Sequence, residues 1–163
     1  MKRSIPLLAL VALLLAPAAA QAQLAVFGGQ QTWTYDGGST YTGTGGGVGL
    51  RTGILPIFDI AVDGSYYAFP EEGSSKVTSL NYAASAILGG KKERVNLYAG
   101  VGKYNLRFDG EAQPASVGLH GGIMLHLFGA LSADARIVLL KGDDGEVTNA
   151  STRIIPISIR LQF

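Results

Sequence analysis

The chain has 163 residues, with 13 basic and 12 acidic side chains and no cysteine. A charge this close to neutral does not predict a nucleic-acid partner or a basic membrane-binding patch. The length suits a single domain, and without cysteine the fold has to be stabilised by backbone pairing and packing rather than by disulfides.

Residues 1–22 predict a cleaved secretory signal peptide. Lys2 and Arg3 give a basic start, residues 7–15 are an unbroken apolar run, and residues 20–22 (Ala-Gln-Ala) form a small-x-small cleavage site. The apolar run is too short for a transmembrane helix. We therefore expect cleavage after residue 22 and one mature domain, residues 23–163.

Eight segments of the mature chain predict β-strands, because apolar and polar residues alternate along most of them with a period of two. The first segment has a glutamine on either face, so the pattern does not assign its sides. The seventh would suit a helix on its own but lies between two strong strands. The segments are residues 23–34, 43–54, 57–69, 76–88, 94–108, 115–127, 131–140 and 151–163.

Two segments carry unusual patterns. In residues 43–54 the glycines share one face, opposite Val48 and Leu50, which predicts a crowded interior with no room for side chains. In residues 94–108 the alternation looks reversed after Lys103. A bulge near Gly102 would explain this, and so would emergence of the strand into water.

The last segment alternates most strictly, with large apolar residues at every second position from Ile155 to Phe163. We expect it to pair with residues 24–33 and to close a barrel. Pro156 is a departure, because proline removes a ladder hydrogen bond and a closed barrel has no edge strand to accommodate it. The register beyond Ile157 is therefore uncertain from sequence.

The connections alternate between short turns and longer polar loops, and aromatic residues gather near the strand ends. This arrangement is typical of transmembrane barrels with two interfacial girdles. The predicted loop-side girdle is Trp33, Tyr66, Tyr67, Phe69, Tyr104 and Phe108, and the turn-side girdle is Phe58, Phe128 and Phe163.

The signal peptide, the strand containing residues 98–102 (Tyr-Ala-Gly-Val-Gly) and the terminal alternation together resemble the small eight-stranded outer-membrane barrels of the OmpA/OmpX type. The resemblance implies an all-β fold: an eight-stranded antiparallel up-and-down transmembrane β-barrel in the cell outer membrane. It also implies that Ile159, Leu161 and Phe163 form the signal read by the barrel assembly machinery. The rival architecture is a soluble exported barrel such as a lipocalin, whose apolar face would point inward.

The interior face carries a set of ionisable residues that must pair, because unpaired buried charge is very costly. We expect an ion-pair network that plugs the barrel, with a narrow proton or ion path as the alternative. The predicted polar network is Arg51, Asp59, Asp63, His120, His126, Asp134, Arg136 and Arg160.

The two histidines do not predict a metal or catalytic site. His120 and His126 are six residues apart on one face, roughly 20 Å by strand rise. The His-x-Ser arrangement of outer-membrane lipid A deacylases is absent, and Ser116 is the one serine near His120 in sequence. We expect no catalytic residues, no metal and no cofactor.

Three functions from different classes remain open. The first is a structural or interaction barrel without catalysis, the second a minimal pore, and the third a lipid-modifying enzyme. The expected partners are outer-membrane lipid and the barrel assembly machinery, with no nucleic acid, and the expected state is a monomer. The acidic loop stretches 71–72 (Glu-Glu) and 143–146 (Asp-Asp-Gly-Glu) are expected to be ordinary solvated loop charges, with calcium binding or bridging of lipopolysaccharide through divalent ions as the alternative.

Overall fold

A computed structural model describes residues 22–34, 40–70, 76–89, 93–112, 115–140 and 153–163. Within these ranges the chain forms eight long strands and one strand of two residues. The long strands agree closely with the predicted segments, although β2 begins at Thr40, before the predicted segment 43–54. The strands are β1 Gln23–Thr34, β2 Thr40–Leu55, β3 Phe58–Ala68, β4 Val77–Leu88, β5 Val95–Phe108, β6 Glu111–Ala112, β7 Ser116–Phe128, β8 Leu131–Leu140 and β9 Arg153–Gln162.

The sheet closes on itself. Each long strand pairs antiparallel with its neighbours in the order β1-β2-β3-β4-β5-β7-β8-β9. β9 pairs with β1, in a register that runs from Ala25↔Gln162 to Thr34↔Arg153. This pairing confirms that the last segment closes a barrel on the first. The two-residue β6 pairs with the end of β5.

The strands are staggered around the barrel. A circuit of paired residues that starts at Gln23 returns to β1 at Trp33, ten positions further along. Such a stagger accompanies a strand tilt of about 35–45°, and eight strands enclose a space that side chains can fill. The stagger determines which side chains meet across the interior, because it sets the height of each residue relative to distant strands.

The outer surface is apolar and the interior is largely polar. Outward-facing large side chains remain exposed on every long strand, among them Leu24, Leu50, Val62, Leu88, Val101, Leu119, Ile137 and Ile159. Asp63 and Arg160 are examples of the inward set and are less than 10 % exposed. A soluble barrel would show the opposite distribution, so the arrangement is that of a transmembrane barrel.

The glycine-rich face of β2 lies inside, where the neighbouring strands leave no room for side chains. A Cβ atom added at Gly47 would lie 2.6 Å from the Phe27 ring, and one at Gly49 would overlap the Asp63 carboxylate. The prediction of a crowded interior is confirmed at these positions, and glycine is needed here for close approach.

The side-chain alternation in β5 does not reverse. The β4–β5 register continues without a shift along the whole pair, so the proposed bulge near Gly102 is wrong. Tyr104 is buried inside the barrel. Because successive side chains of a strand alternate between its faces, the outward positions from Lys103 onward are Lys103, Asn105 and Arg107. The outward residues of β5 are therefore polar from Lys103 onward, and emergence of the strand into water stays a prediction.

Pro156 interrupts one of the two ladders that β9 forms. On the β1 side the register passes through Gln31↔Pro156 without a shift. On the β8 side pairing lapses between Ala135↔Ile157 and Val138↔Ile154 and resumes in the same register. Proline has no N–H to donate, so the β8–β9 pairing is interrupted beside it. The register is preserved.

The loop-side girdle prediction is wrong for four of its six residues. Trp33, Tyr67, Phe69 and Tyr104 point inward and are buried, whereas Tyr66 and Phe108 are exposed. With Val138, Leu140 and Ile154, the four buried aromatics form a loop-end apolar cluster inside the barrel. On the turn side, Phe128 and Phe163 are exposed as expected.

Several sequence predictions fall outside the described residues. These include the signal peptide apart from Ala22, and the acidic loop positions 71–72 and 143–146. Among the residues that the structure describes, no helix is long and apolar enough to cross a membrane, a finding that does not bear on β-barrels.

Candidate functional site: the interior polar network

A central charge cluster fills the middle of the barrel. It is built around Asp63 on β3, which accepts hydrogen bonds from two arginines. Arg136 Nη2 lies 3.0 Å from Asp63 Oδ2, and Arg160 Nη2 lies 2.6 Å from Asp63 Oδ1. The other terminal nitrogen of Arg160 lies 3.6 Å from Asp134 Oδ2. One carboxylate therefore holds together two strands on the opposite wall, β8 and β9.

Tyr98 on β5 completes the central charge cluster. Its hydroxyl donates to Asp134 Oδ1 at 2.6 Å and accepts from Arg136 Nε at 3.2 Å. The Arg136 guanidinium carbon also lies 5.1 Å from the centre of the Tyr98 ring. Arg160 lies in the same way over the Phe27 ring, at 4.6 Å. These cation–π contacts add to the ion pairs because both groups are withdrawn from water.

A second group surrounds Arg51 near the turn end of the barrel. Arg51 Nε donates to Asp59 Oδ2 at 2.6 Å. Its Nη2 donates at 3.4 Å to the Gly89 carbonyl and at 3.4 Å to Asn96 Oδ1. The thioether sulfur of Met124 lies 3.8 Å from Nη1. The Arg51 guanidinium therefore contacts four groups around the barrel wall.

The interior charges balance. Among the described residues that point inward, the charged members of the network are three arginines and three aspartates. Their side chains are at most 10 % exposed. Removing charges from water costs several kcal/mol per ion, and only pairing with good geometry offsets that cost. The geometry therefore favours a fixed structural network over isolated titrating groups.

His120 lies on the loop side of the central charge cluster and contacts neutral groups. Its Nε2 is 2.8 Å from Ser85 Oγ, and its Nδ1 is 3.4 Å from the Tyr104 hydroxyl. The serine that meets His120 is thus Ser85 on β4, and not Ser116 as sequence proximity suggested. Both Ser85 and His120 are buried inside the wall, where a membrane lipid could not reach them.

His126 belongs to a separate contact near the turn end. Its Nδ1 lies 2.9 Å from Ser132 Oγ. The two histidines therefore have different partners, and the structure does not bring them together. Within the described part of the chain, no group of three or more His, Cys, Asp or Glu side chains could hold a metal ion.

The polar network also contains uncharged residues that the sequence analysis did not single out. Asn81 accepts from Ser79 at 2.7 Å, and its amide nitrogen lies 3.4 Å from Gln31 Oε1. Tyr98 is the most consequential omission, since it joins Asp134 to Arg136. Its position on the inward face of β5 was readable from the alternation, but its contacts across the barrel depend on the stagger.

Little space remains beside the central charge cluster, in the part of the interior that the described residues line. A cavity of about 20 Å³ lies beside the central charge cluster, with Asp63, Tyr67 and Arg136 in its wall. That is room for roughly one water molecule. The loop-end apolar cluster lies on the loop side of this cavity. Side chains therefore fill the barrel at this level.

Solved structures with the same architecture are found in bacteria and among designed proteins. Neisserial surface protein A superposes with a TM-score of 0.60 at 18% identity, covering 88% of this chain and 97% of that one. Ail of Yersinia pestis superposes with a TM-score of 0.57 at 15% identity, covering 87% of this chain and 97% of that one. This is the fold of the small eight-stranded outer-membrane β-barrels.

A designed transmembrane β-barrel also superposes, with a TM-score of 0.54 at 11% identity, covering 86% of this chain and 95% of that one. No protein-family model and no curated protein sequence matches the chain. The structural likeness establishes a membrane β-barrel of this fold. Function has to be argued from the residues of this barrel, because one fold supports many functions.

Proposed function

We propose that the protein resides in the cell outer membrane, exported by its signal peptide, and acts there as a structural or interaction barrel without catalysis. The observation that carries this proposal is the Asp63-centred charge cluster. Three strands are tied across the interior by balanced ion pairs, and the adjoining cavity admits about one water molecule. Such an interior favours rigidity over passage of solutes.

The proposed partners are membrane lipid around the barrel and, during assembly, the barrel assembly machinery. Ile159, Leu161 and Phe163 lie on the outward face of the closing strand and are 44–69 % exposed. A partner could therefore reach them before and during insertion. The proposal includes a monomeric state, since each long strand is paired on both sides and the closed sheet leaves no edge to pair with a second copy.

Planar-bilayer recordings test the proposal against the pore alternative. The purified barrel should insert without unitary current steps, because its interior is occupied by side chains. Insertion is verified separately by a shift in gel migration between unheated and boiled samples, as expected of a folded barrel in SDS. Reproducible single-channel steps from heat-modifiable protein would contradict the proposal and support the pore. Lipid A incubated with the same sample should keep its mass, and a gained or lost acyl chain would support the enzyme instead.

A further inference from the structure

The outer wall of the barrel carries a shallow groove of about 690 Å³. Its sides are apolar and include Val48, Val62 and Val101. The groove exists because the outward residues along its floor are small, with Gly64 on β3 and Ala84 on β4. A Cβ added at Gly64 would meet only the Tyr82 ring, at 3.8 Å, so the position has room for a side chain that the sequence does not provide.

One end of the groove is polar. Tyr82 and Lys103 lie directly opposite each other in the β4–β5 pair, and both face outward and are exposed. Paired residues on one face of a sheet lie about 5 Å apart. Lys103 is also the position from which the outward residues of β5 are polar. A lysine at this level can extend its ammonium group to lipid headgroups while its methylene chain stays on apolar wall, and tyrosine is favoured at the same depth.

We propose that this groove is a docking site for a membrane lipid of the loop-side leaflet that carries an anionic phosphate headgroup. One acyl chain lies across Gly64 and Ala84 between the valines. The Lys103 ammonium binds the phosphate, with the Tyr82 hydroxyl beside it. The inference rests on the proposed function, because it requires the outward face to meet lipid.

Charge favours a lipid over a second copy of the chain in this groove. A second copy would have to bury Lys103, and an unpaired buried cation is costly. Among the described residues that line the groove, Asp63 is the acidic one, and it points inward to two arginines. A phosphate-bearing lipid provides the missing anion and the apolar chain together.

Native mass spectrometry after extraction from nanodiscs of equimolar phosphatidylglycerol and phosphatidylcholine tests the docking site. Both lipids carry a phosphate, but only phosphatidylglycerol has net negative charge. The wild type should retain phosphatidylglycerol over phosphatidylcholine by about fivefold, the preference expected of one lysine near an anionic surface. Lys103→Gln should remove the preference, and Lys103→Arg should keep it.

Gly64→Leu tests the apolar part of the groove, because its side chain would occupy the floor. It should lower retention of both lipids. The matched control is Gly121→Leu, an outward glycine on β7 that does not line the groove and whose added Cβ would lie no closer than 3.7 Å to the Tyr98 carbonyl. That variant should retain lipid as the wild type does.

The outcomes separate this inference from the proposed function. Equal retention of the two lipids by heat-modifiable, membrane-inserted wild type and Lys103→Gln protein would overturn the docking site alone. A dimer that Gly64→Leu dissociates, without any lipid preference, would overturn it in favour of a second copy. Protein that fails to insert into membranes would overturn both.

Discussion

Replacing Asp63 with asparagine is expected to destabilise the folded barrel by about 3–5 kcal/mol, the usual cost of removing one partner from a buried ion pair. Asparagine has nearly the same shape, so the loss comes from charge. Arg136 and Arg160 would keep their positions beside a neutral group, and Asp134 alone could not neutralise both. Urea titration in lipid vesicles, followed by the fluorescence of the single tryptophan, Trp33, measures the change.

The same substitution at Asp109 is the matched control. Asp109 is exposed at the end of β5, accepts a hydrogen bond from the Lys76 amide and has a positive φ, which asparagine tolerates well. Asp109→Asn should therefore stay within about 0.5 kcal/mol of wild type, as is usual for surface substitutions. If Asp63→Asn is equally mild, the central charge cluster does not stabilise the barrel.

Gly122→Val is expected to prevent the barrel from closing. Gly122 points inward on β7, where an added Cβ would overlap the Tyr98 ring and lie 2.6 Å from the Ala135 carbonyl oxygen. The Tyr98 ring cannot move aside without breaking its hydrogen bonds to Asp134 and Arg136. The variant should lose the migration difference between unheated and boiled samples on SDS gels.

The neighbouring residue provides the control for this variant. Gly121 faces outward, its added Cβ would meet nothing closer than 3.7 Å, and valine is favoured in strands. Gly121→Val should fold like the wild type and keep its migration shift. Folding of Gly122→Val together with failure of Gly121→Val would show that the inward and outward faces were assigned wrongly, and folding of both would show that the interior tolerates a side chain at position 122.

The period of two was enough to predict the barrel and most of its faces. Alternation placed Val48 outside and Arg51 inside, and the interior aspartates and arginines all lie on the inward face. The same alternation already argued against part of the predicted loop-side girdle. Tyr67 has the same parity as Asp63, so its burial was already implied, whereas Tyr66 has the opposite parity and is exposed.

Contacts across the interior could not be predicted in the same way. Asp63 lies one strand from Arg51, yet it pairs with Arg136 and Arg160 on the far wall. Which side chains meet depends on the stagger of ten residues, and the stagger accumulates over eight pairings that a single sequence does not reveal. The partner of His120 was missed for the same reason, since Ser85 is 35 positions away in the chain.

Site-directed spin labelling tests most directly whether the odd-numbered residues of the closing strand, β9, face lipid. The cysteine-free chain allows single nitroxide labels at positions 155, 157, 159 and 161, with position 109 as a water-exposed reference. In lipid bilayers, the labels on the closing strand should be relaxed strongly by dissolved oxygen and weakly by a water-soluble nickel chelate, and the reference label should show the reverse. Labels at 157 and 159 that the nickel chelate relaxes as strongly as the reference would contradict a lipid-facing barrel.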